Sequence, residues 1–204
     1  QEIPIVHLGR SLTLVEHEKL SFANGIRLGI ILYGFNQSRM KDTSFKGKLR
    51  ELKLKFLQKK YQCSPTILEN DLKVTPVFTL FSEVISERFV KKGEVVGYHT
   101  SKMEEDGYIL TIPIGYADGV TRDFKSVWIK GNFYKIVSDC MDMIMVYSKE
   151  KIPLHSPVEI IGPHMSIKML CARTHKNAYH LFNDISTRVP YLYQKNDDIK
   201  EIKY

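Results

Sequence analysis

With 204 residues, 43% hydrophobic and 26% charged, the composition is that of an ordinary globular protein, which excludes disorder and allows one large domain or two modest ones. The formal net charge of +7 would permit contact with nucleic acid or an anionic membrane, but the excess is spread along the chain with one concentration at residues 46–60, so it reads as a solvated basic face and neither partner is expected. Cys63, Cys140 and Cys171 are odd in number and lack metal-ligand spacing, which excludes a disulfide framework or zinc site and points to reduced thiols in the cytoplasm.

No apolar run approaches the ~20 residues a membrane span needs, and nothing at the start resembles a signal peptide. Ile3-Pro4-Ile5-Val6-His7 is a short strand-like run that leads into a turn, Gly9-Arg10-Ser11. Leu12 to Val15 can begin a helix, which sets Ser11 near a helix N-terminus where backbone N–H groups favour an anion. The same residue also reads as a plain N-cap serine. Ile26–Gly34 (IRLGIILYG) is a second strand-like run with Arg27 and Gly29 set into apolar sequence. Two successive strand ends offering a hydroxyl, a glycine amide and a cation suit the phosphate site that barrels build after strands seven and eight. The plainer alternative makes Arg27 a surface cation and Gly29 a packing residue.

Residues 46–61 (KGKLRELKLKFLQKKY) place Leu49, Leu52, Phe56 and Leu57 at helical spacing among Lys and Arg, which predicts an amphipathic helix packed on its own domain rather than on an acidic partner or membrane. From Val74 the sequence turns to strands. Val77–Ile85 is long enough to cross a sheet, Lys91-Lys92-Gly93-Glu94 is a turn, and Val95-Val96-Gly97-Tyr98 follows. Ile109–Ile114 stops at Gly115-Tyr116-Ala117-Asp118-Gly119, a Gly-flanked turn that thrusts a phenol outward. Val127-Trp128-Ile129 and Phe133–Val137 flank Lys130-Gly131-Asn132 as a hairpin, and Cys140-Met141-Asp142 closes the unit. Pro157–Gly162 is another strand, residues 163–177 are polar and unassigned, and Tyr179 precedes a final run to Arg188-Val189-Pro190.

IPIGYADG, then Arg122, a V-x-I-x-G strand and turn, and CMD resemble the signature of the C-terminal β domain of alanine racemases and related amino-acid racemases dependent on pyridoxal 5′-phosphate (PLP). The shared order of His7 to Ser11, IRLGIILYG, GEVVGY, PVEIIG, Tyr179 and Arg188-Val189-Pro190 extends the resemblance along most of the chain. It implies a mainly β fold: a C-terminal β domain over 74–204, a helical connection over 39–73, and the last strands of a PLP-binding (β/α)₈ barrel over 1–38. It also implies that the chain is the C-terminal part of a longer enzyme, inactive alone because the lysine that binds PLP lies upstream.

By the same resemblance, Ser11 and the backbone of Gly29 and Ile30 hold the PLP phosphate, and Arg27 faces the pyridine nitrogen. An arginine does not give up its proton, so that nitrogen stays unprotonated and the ring is a weaker electron sink. Tyr98 matches the tyrosine that moves the α-proton, opposite a lysine, in a head-to-tail homodimer. A phenol with pKa near 10 needs neighbouring charge or hydrogen bonds to serve as a base. Met141 offers a backbone amide near the substrate carboxylate, and Tyr116 and Tyr179 line the mouth. The implied function is interconversion of L- and D-alanine, or a related small amino acid, for cell-wall synthesis.

The chain departs from the family pattern at His99, Ser138, His180 and Tyr191, and its spacing from Tyr98 to the GYADG turn is one residue short. Those departures keep open an alternative, a non-catalytic β-rich binding or dimerisation module that retains the fold. Apart from the family, tyrosines in a β-rich chain pack half-buried with the hydroxyl wet, and the histidines support no metal site.

Overall fold

The computed structural model describes residues 4–7, 9, 11, 23–35, 48, 49, 52, 53, 56, 74–98, 101–195 and 198–202. The chain divides into two units, Gln1–Val77 and Phe78–Tyr204.

In the first unit His7 and Gly25 form a parallel bridge, the pairing that neighbouring strands of a β/α barrel use. Asn24 holds it: its Oδ1 accepts the Val6 N–H at 2.8 Å and its Nδ2 donates to Pro4 O at 3.0 Å. Ser11 is helical, whereas Leu12 to Val15 lie outside the described residues. The strand expected over Ile26–Gly34 is not one. Ile30–Tyr33 is a 3₁₀ turn, ended by Gly34 at φ 75. A Cβ on Gly34 would stand 1.8 Å from Thr75 O, so the close backbone approach, as well as the left-handed conformation, requires glycine. Within the expected basic helix, Lys48, Leu49, Leu52, Lys53 and Phe56 are helical. Leu49, Leu52 and Phe56 are exposed, so the expected packing of the stripe is not made at these positions; Leu57 lies outside the described residues.

The second unit is a curled antiparallel sheet. Its strands include β1 (Leu80–Glu83), β2 (Ser86–Val90), β5 (Gly107–Ile112), β6 (Ser126–Ile129), β7 (Asn132–Asp139), β8 (Ile144–Ser148) and β9 (Pro157–Ile161) in the order β1-β9-β6-β7-β8-β5-β2. Two short hairpins stand apart, β3 (Val95–Val96) with β4 (Ser101–Lys102), and β10 (Tyr191–Lys195) with β11 (Asp198–Ile202). The strand expected over Val77–Ile85 shrinks to β1. Val84 turns away from the ladder and bonds Ser156 O and the His155 N–H instead.

The expected hairpin is β6–β7, joined by Lys130 and Gly131 at φ 44 and 94, the doubly left-handed turn whose twist matches paired strands. β7 then changes partner. Asn132 to Lys135 pair with β6, while Ile136, Ser138 and Asp139 pair with β8 across a register shift between Ile136 and Ser138. A bulge of this kind bends a strand and re-aims its side chains, which curls the sheet. β8 alternates buried and half-buried residues along its length, and β9 is buried from Val158 to Ile161.

Two helices cover part of the core. α1 (Ile167–Thr174) buries Ile167 and Leu170, and its N-cap Ser166 accepts the Met169 N–H; α2 (Ala178–Asp184) buries Ala178 and Leu181 beneath the cap Asn177. The unassigned stretch 163–177 thus holds a helix, and Tyr179 lies in α2. Arg173 ties α1 to the sheet, donating through Nη1 to Phe124 O and Ser126 Oγ, both at 2.8 Å. A second apolar cluster of Val90, Val96, Met103 and Ile109, with Val137, Met145 and Tyr147 against it, fastens the β3–β4 hairpin.

Candidate functional site

The segment from Ser138 to Asp142, at the end of β7, gathers the motifs of the second unit. The Gly115–Gly119 turn lies against it. Tyr116 N–H donates to Cys140 O and Ala117 N–H to Met141 O, both at 3.0 Å. Gly115 makes the approach possible, since a Cβ there would meet Cys140 O at 2.3 Å and Met141 O at 2.4 Å. Asp118, buried, turns its Oδ2 back to accept the Gly115 N–H at 3.0 Å. Tyr116 and Met141 are thereby neighbours, both about half exposed.

Arg188 binds the two motifs from a third side. Its Nη2 donates to Asp142 Oδ1 at 2.6 Å, and its Nε lies 3.5 Å from Asp118 Oδ1. The hydrogen bond with Asp142, followed by the charges of Asp118 and Asp142, raises the guanidinium pKa above its ordinary value. α2 docks beside the same turn: Gly119, at φ 88, approaches Asp184 so closely that a Cβ would lie 2.3 Å from its carbonyl oxygen. Tyr179 is carried on that helix, partly exposed.

Tyr98 belongs to the β3–β4 hairpin. It is 85% exposed, far beyond the half-buried state expected of a packing tyrosine. Gly97, just before it, rests on Ser138, so the Tyr98 turn and the Tyr116–Met141 pair meet the same short segment. His99 lies outside the described residues. Beside this hairpin is a groove of about 540 Å³ whose lining includes Lys102, Met103, Arg122, Lys135 and Tyr147. The acids there are engaged, Glu104 with Lys135 at 3.5 Å and Glu105 with Lys149 at 3.0 Å. Among the described residues Lys102 and Arg122 make no ion pair, which leaves the groove wall positive.

The remaining expected residues are in the first unit. Ser11 is buried, and its Oγ accepts the Gly29 N–H at 2.8 Å. Gly29 precedes the 3₁₀ turn that begins with the fully buried Ile30. Arg27 is exposed, with Nε 3.4 Å from Gly9 O. Burial pushes the Cys140 thiol pKa up, as does Asp139, which disfavours a nucleophilic role. No group of three or more His, Cys, Asp or Glu among the described residues is placed to hold a metal, and no described helix is long and apolar enough to cross a membrane.

The sequence reading missed Asp118, Asp142 and Arg188 as a linked set. The signal available was one acidic residue in each of two glycine- or cysteine-bearing motifs and one arginine in a third, a charge match without a spacing rule.

A curled antiparallel sheet thus carries three motifs, joined by the close approach at Gly115 and by Arg188. The family model for the alanine racemase C-terminal domain matches residues 77–193, and the chain belongs to that family. The alanine racemase of Streptococcus gordonii is 32% identical over 199 residues, covering 94% of this chain and 47% of its own length. A solved alanine racemase from Clostridium difficile 630, in complex with cycloserine, superposes with a TM-score of 0.78 at 26% identity over 99% of this chain and 49% of that one. At the level of fold, the alanine racemase of Bartonella henselae, with covalently bound pyridoxal phosphate, matches 78% of this chain and 39% of its own, with a TM-score of 0.58 and 24% identity. The chain spans about half the length of the curated relatives it matches.

Proposed function

We propose that the protein containing this chain interconverts L- and D-alanine, or a related small amino acid, by two-base proton transfer, supplying D-amino acid for cell-wall synthesis and working as a head-to-tail homodimer. Family membership supports the racemase class. The observation that carries the site is the presentation of Tyr98: a phenol 85% exposed, on a turn seated against the segment that also holds Met141 beside Tyr116.

The donor set in the first unit fits the phosphate of PLP. Ser11 Oγ accepts the Gly29 N–H, and a hydroxyl that accepts one bond still has its own proton to donate to a phosphate oxygen. The Gly29 N–H is committed to Ser11, so the serine hydroxyl is the donor on offer, and by the resemblance the backbone at Gly29 and Ile30 would border the phosphate beside it. By the resemblance Arg27 would stand toward the ring nitrogen, where a guanidinium, which does not give up its proton, would keep that nitrogen unprotonated. PLP, when bound, supplies the electron-withdrawing ring that acidifies the α-proton. By the resemblance Tyr98 would reach this site from the opposite subunit of the homodimer, its Oη taking up or returning the proton at the substrate Cα on one face, with a lysine for the other. The Met141 N–H orients the substrate carboxylate, while Tyr116 and Tyr179 line the entrance.

The test is Tyr98→Phe in the full-length enzyme. Removing a positioned acid/base group costs about 10²- to 10⁴-fold in rate, and exchange of the α-proton with solvent should slow for one enantiomer while its mirror image exchanges normally. Wild-type exchange of both enantiomers would remove Tyr98 from the mechanism and make Tyr116 the next residue to test.

A further inference from the structure

Ser138 is wholly buried, and its Oγ is the single buried side-chain oxygen or nitrogen among the described residues that has no hydrogen-bond partner. Leaving a buried hydroxyl unsatisfied is costly, and alanine would avoid the cost. Its neighbour gives a reason for keeping it. A Cβ added to Gly97 would lie 2.1 Å from Ser138 Oγ, 2.6 Å from Ser138 Cβ and 3.5 Å from Met145 Sδ. The backbone of the turn therefore sits directly on the serine side chain. Gly97 also has φ 70, so the conformation and the close approach require glycine together.

Tyr98 follows that glycine with almost none of its surface covered, so its own packing does little to fix its direction. The hairpin is anchored at its base by buried Val96 and Met103, and among the described residues of the tip Gly97 is the one that rests on the sheet. The bulge in β7 falls immediately before Ser138, and a bulge re-aims the side chains around it.

We propose that Ser138 is a positioning residue for Tyr98: its buried hydroxyl is the seat of the Gly97 turn and fixes where the phenol stands. The proposal rests on the acid/base reading of Tyr98 given above. A seat lowered by one atom lets the turn sink or rock, and a misplacement near 1 Å in a reacting group can cost about 10²-fold.

The experiment uses the full-length enzyme with Ser138→Ala, Ser138→Thr and Ser138→Cys, and the double variant Ser138→Ala with Tyr98→Phe. Ser138→Ala should raise the unfolding midpoint, because the unsatisfied hydroxyl is gone. It should also slow α-proton exchange of the Tyr98-dependent enantiomer by about ten- to a hundredfold and leave the other enantiomer unchanged. Backbone amide exchange in the peptide covering residues 95–102 should quicken. Ser138→Cys, which keeps an atom under Gly97, should restore most of the lost rate, and Ser138→Thr, which crowds the seat, should slow the same enantiomer. In the double variant the alanine should add nothing to the loss caused by Tyr98→Phe.

A structural role alone would move the midpoint and leave the two enantiomers balanced, which would overturn the proposal. So would a loss shared equally by both enantiomers, a loss that persists in the Tyr98→Phe background, or unchanged amide exchange in Ser138→Ala. Wild-type exchange of both enantiomers in Tyr98→Phe alone would instead overturn the acid/base reading on which the proposal depends.

Discussion

Replacing Gly115 by alanine tests whether the GYADG turn and the CMD segment are held together by direct backbone contact. The backbone of Gly115 is extended, at φ −142, a conformation any residue adopts, so the substitution costs nothing in torsion. Its whole effect is steric. The new methyl would stand 2.3 Å from Cys140 O, 2.4 Å from Met141 O and 2.6 Å from Met141 C, all backbone atoms that cannot rotate away. Reaching ordinary contact distances requires a retreat of about 1 Å.

Such overpacking typically costs about 1–3 kcal/mol. The same retreat stretches the Tyr116 and Ala117 hydrogen bonds, both 3.0 Å long, each worth about 0.5–1.5 kcal/mol. The total is about 2–6 kcal/mol, or a fall of roughly 1–3 M in the urea midpoint for a slope near 2 kcal/mol/M. Gly131→Ala is the control. Gly131 has φ 94 and nothing within 4 Å of an added Cβ, so only the left-handed penalty of about 1–2 kcal/mol applies. If urea unfolding shows Gly115→Ala no worse than Gly131→Ala, the backbone contact between the two motifs is not as described.

Arg173→Met removes two charge-assisted bonds and strands the buried Ser126 hydroxyl, so denaturant unfolding should show a loss of about 1–3 kcal/mol. The carboxyl of Glu159 is buried, which pushes its pKa up, but the His164 side chain and the N–H groups of Met165 and His164 outweigh burial and leave it below the ordinary value. Its contribution is therefore present above the unfolded-state pKa near 4.5 and fades as pH falls through the lower folded value. Melting followed from pH 6 to pH 3 should show Glu159→Gln losing less stability than the wild type on acidification; parallel curves would refute this. Arg188→Met should abolish most of the salt sensitivity of unfolding that the exposed Asp142 pair gives; an unaltered salt dependence would show that the pair is idle.

What was legible in the sequence was the chemistry of short range. Lys130-Gly131 between β-rich runs has one good solution, and the GYADG turn was placed by its two glycines. Val77–Ile85 was misread because hydrophobicity does not distinguish ladder from loop: Val84 is fully buried, yet its backbone bonds run to Ser156 and His155. β8 is not legible because Ile144-Met145-Val146-Tyr147 is a continuous apolar run without polar alternation; its alternation of buried and half-buried positions appears only in the fold. The helix in 163–177 left only a faint trace, with two buried positions and a serine cap. Within the candidate site, the resemblance indicated which residues to watch, but not that Ser138 underlies Gly97 or that Arg188 spans two motifs. Those facts depend on partners far along the chain, and no local pattern encodes them.

The sheet order also dictates a sequence of assembly. β6 and β7 are joined by two residues and can pair as soon as both exist, whereas β1 must wait for β9, whose partners lie far along the chain (Leu80 with Ile161, Glu83 with Pro157). Long closures are entropically slower than short ones. The β6–β7 hairpin is thus the expected nucleus and the β1–β9 edge the expected last arrival. Substitutions at Trp128 or Phe133, whose rings meet edge to face at 4.8 Å, should slow refolding, while those on β1 should chiefly hasten unfolding. During synthesis β1 leaves the ribosome well before β9 exists, so the strand that opens the unit spends the longest time unpaired and is the one most in need of protection from a neighbouring chain.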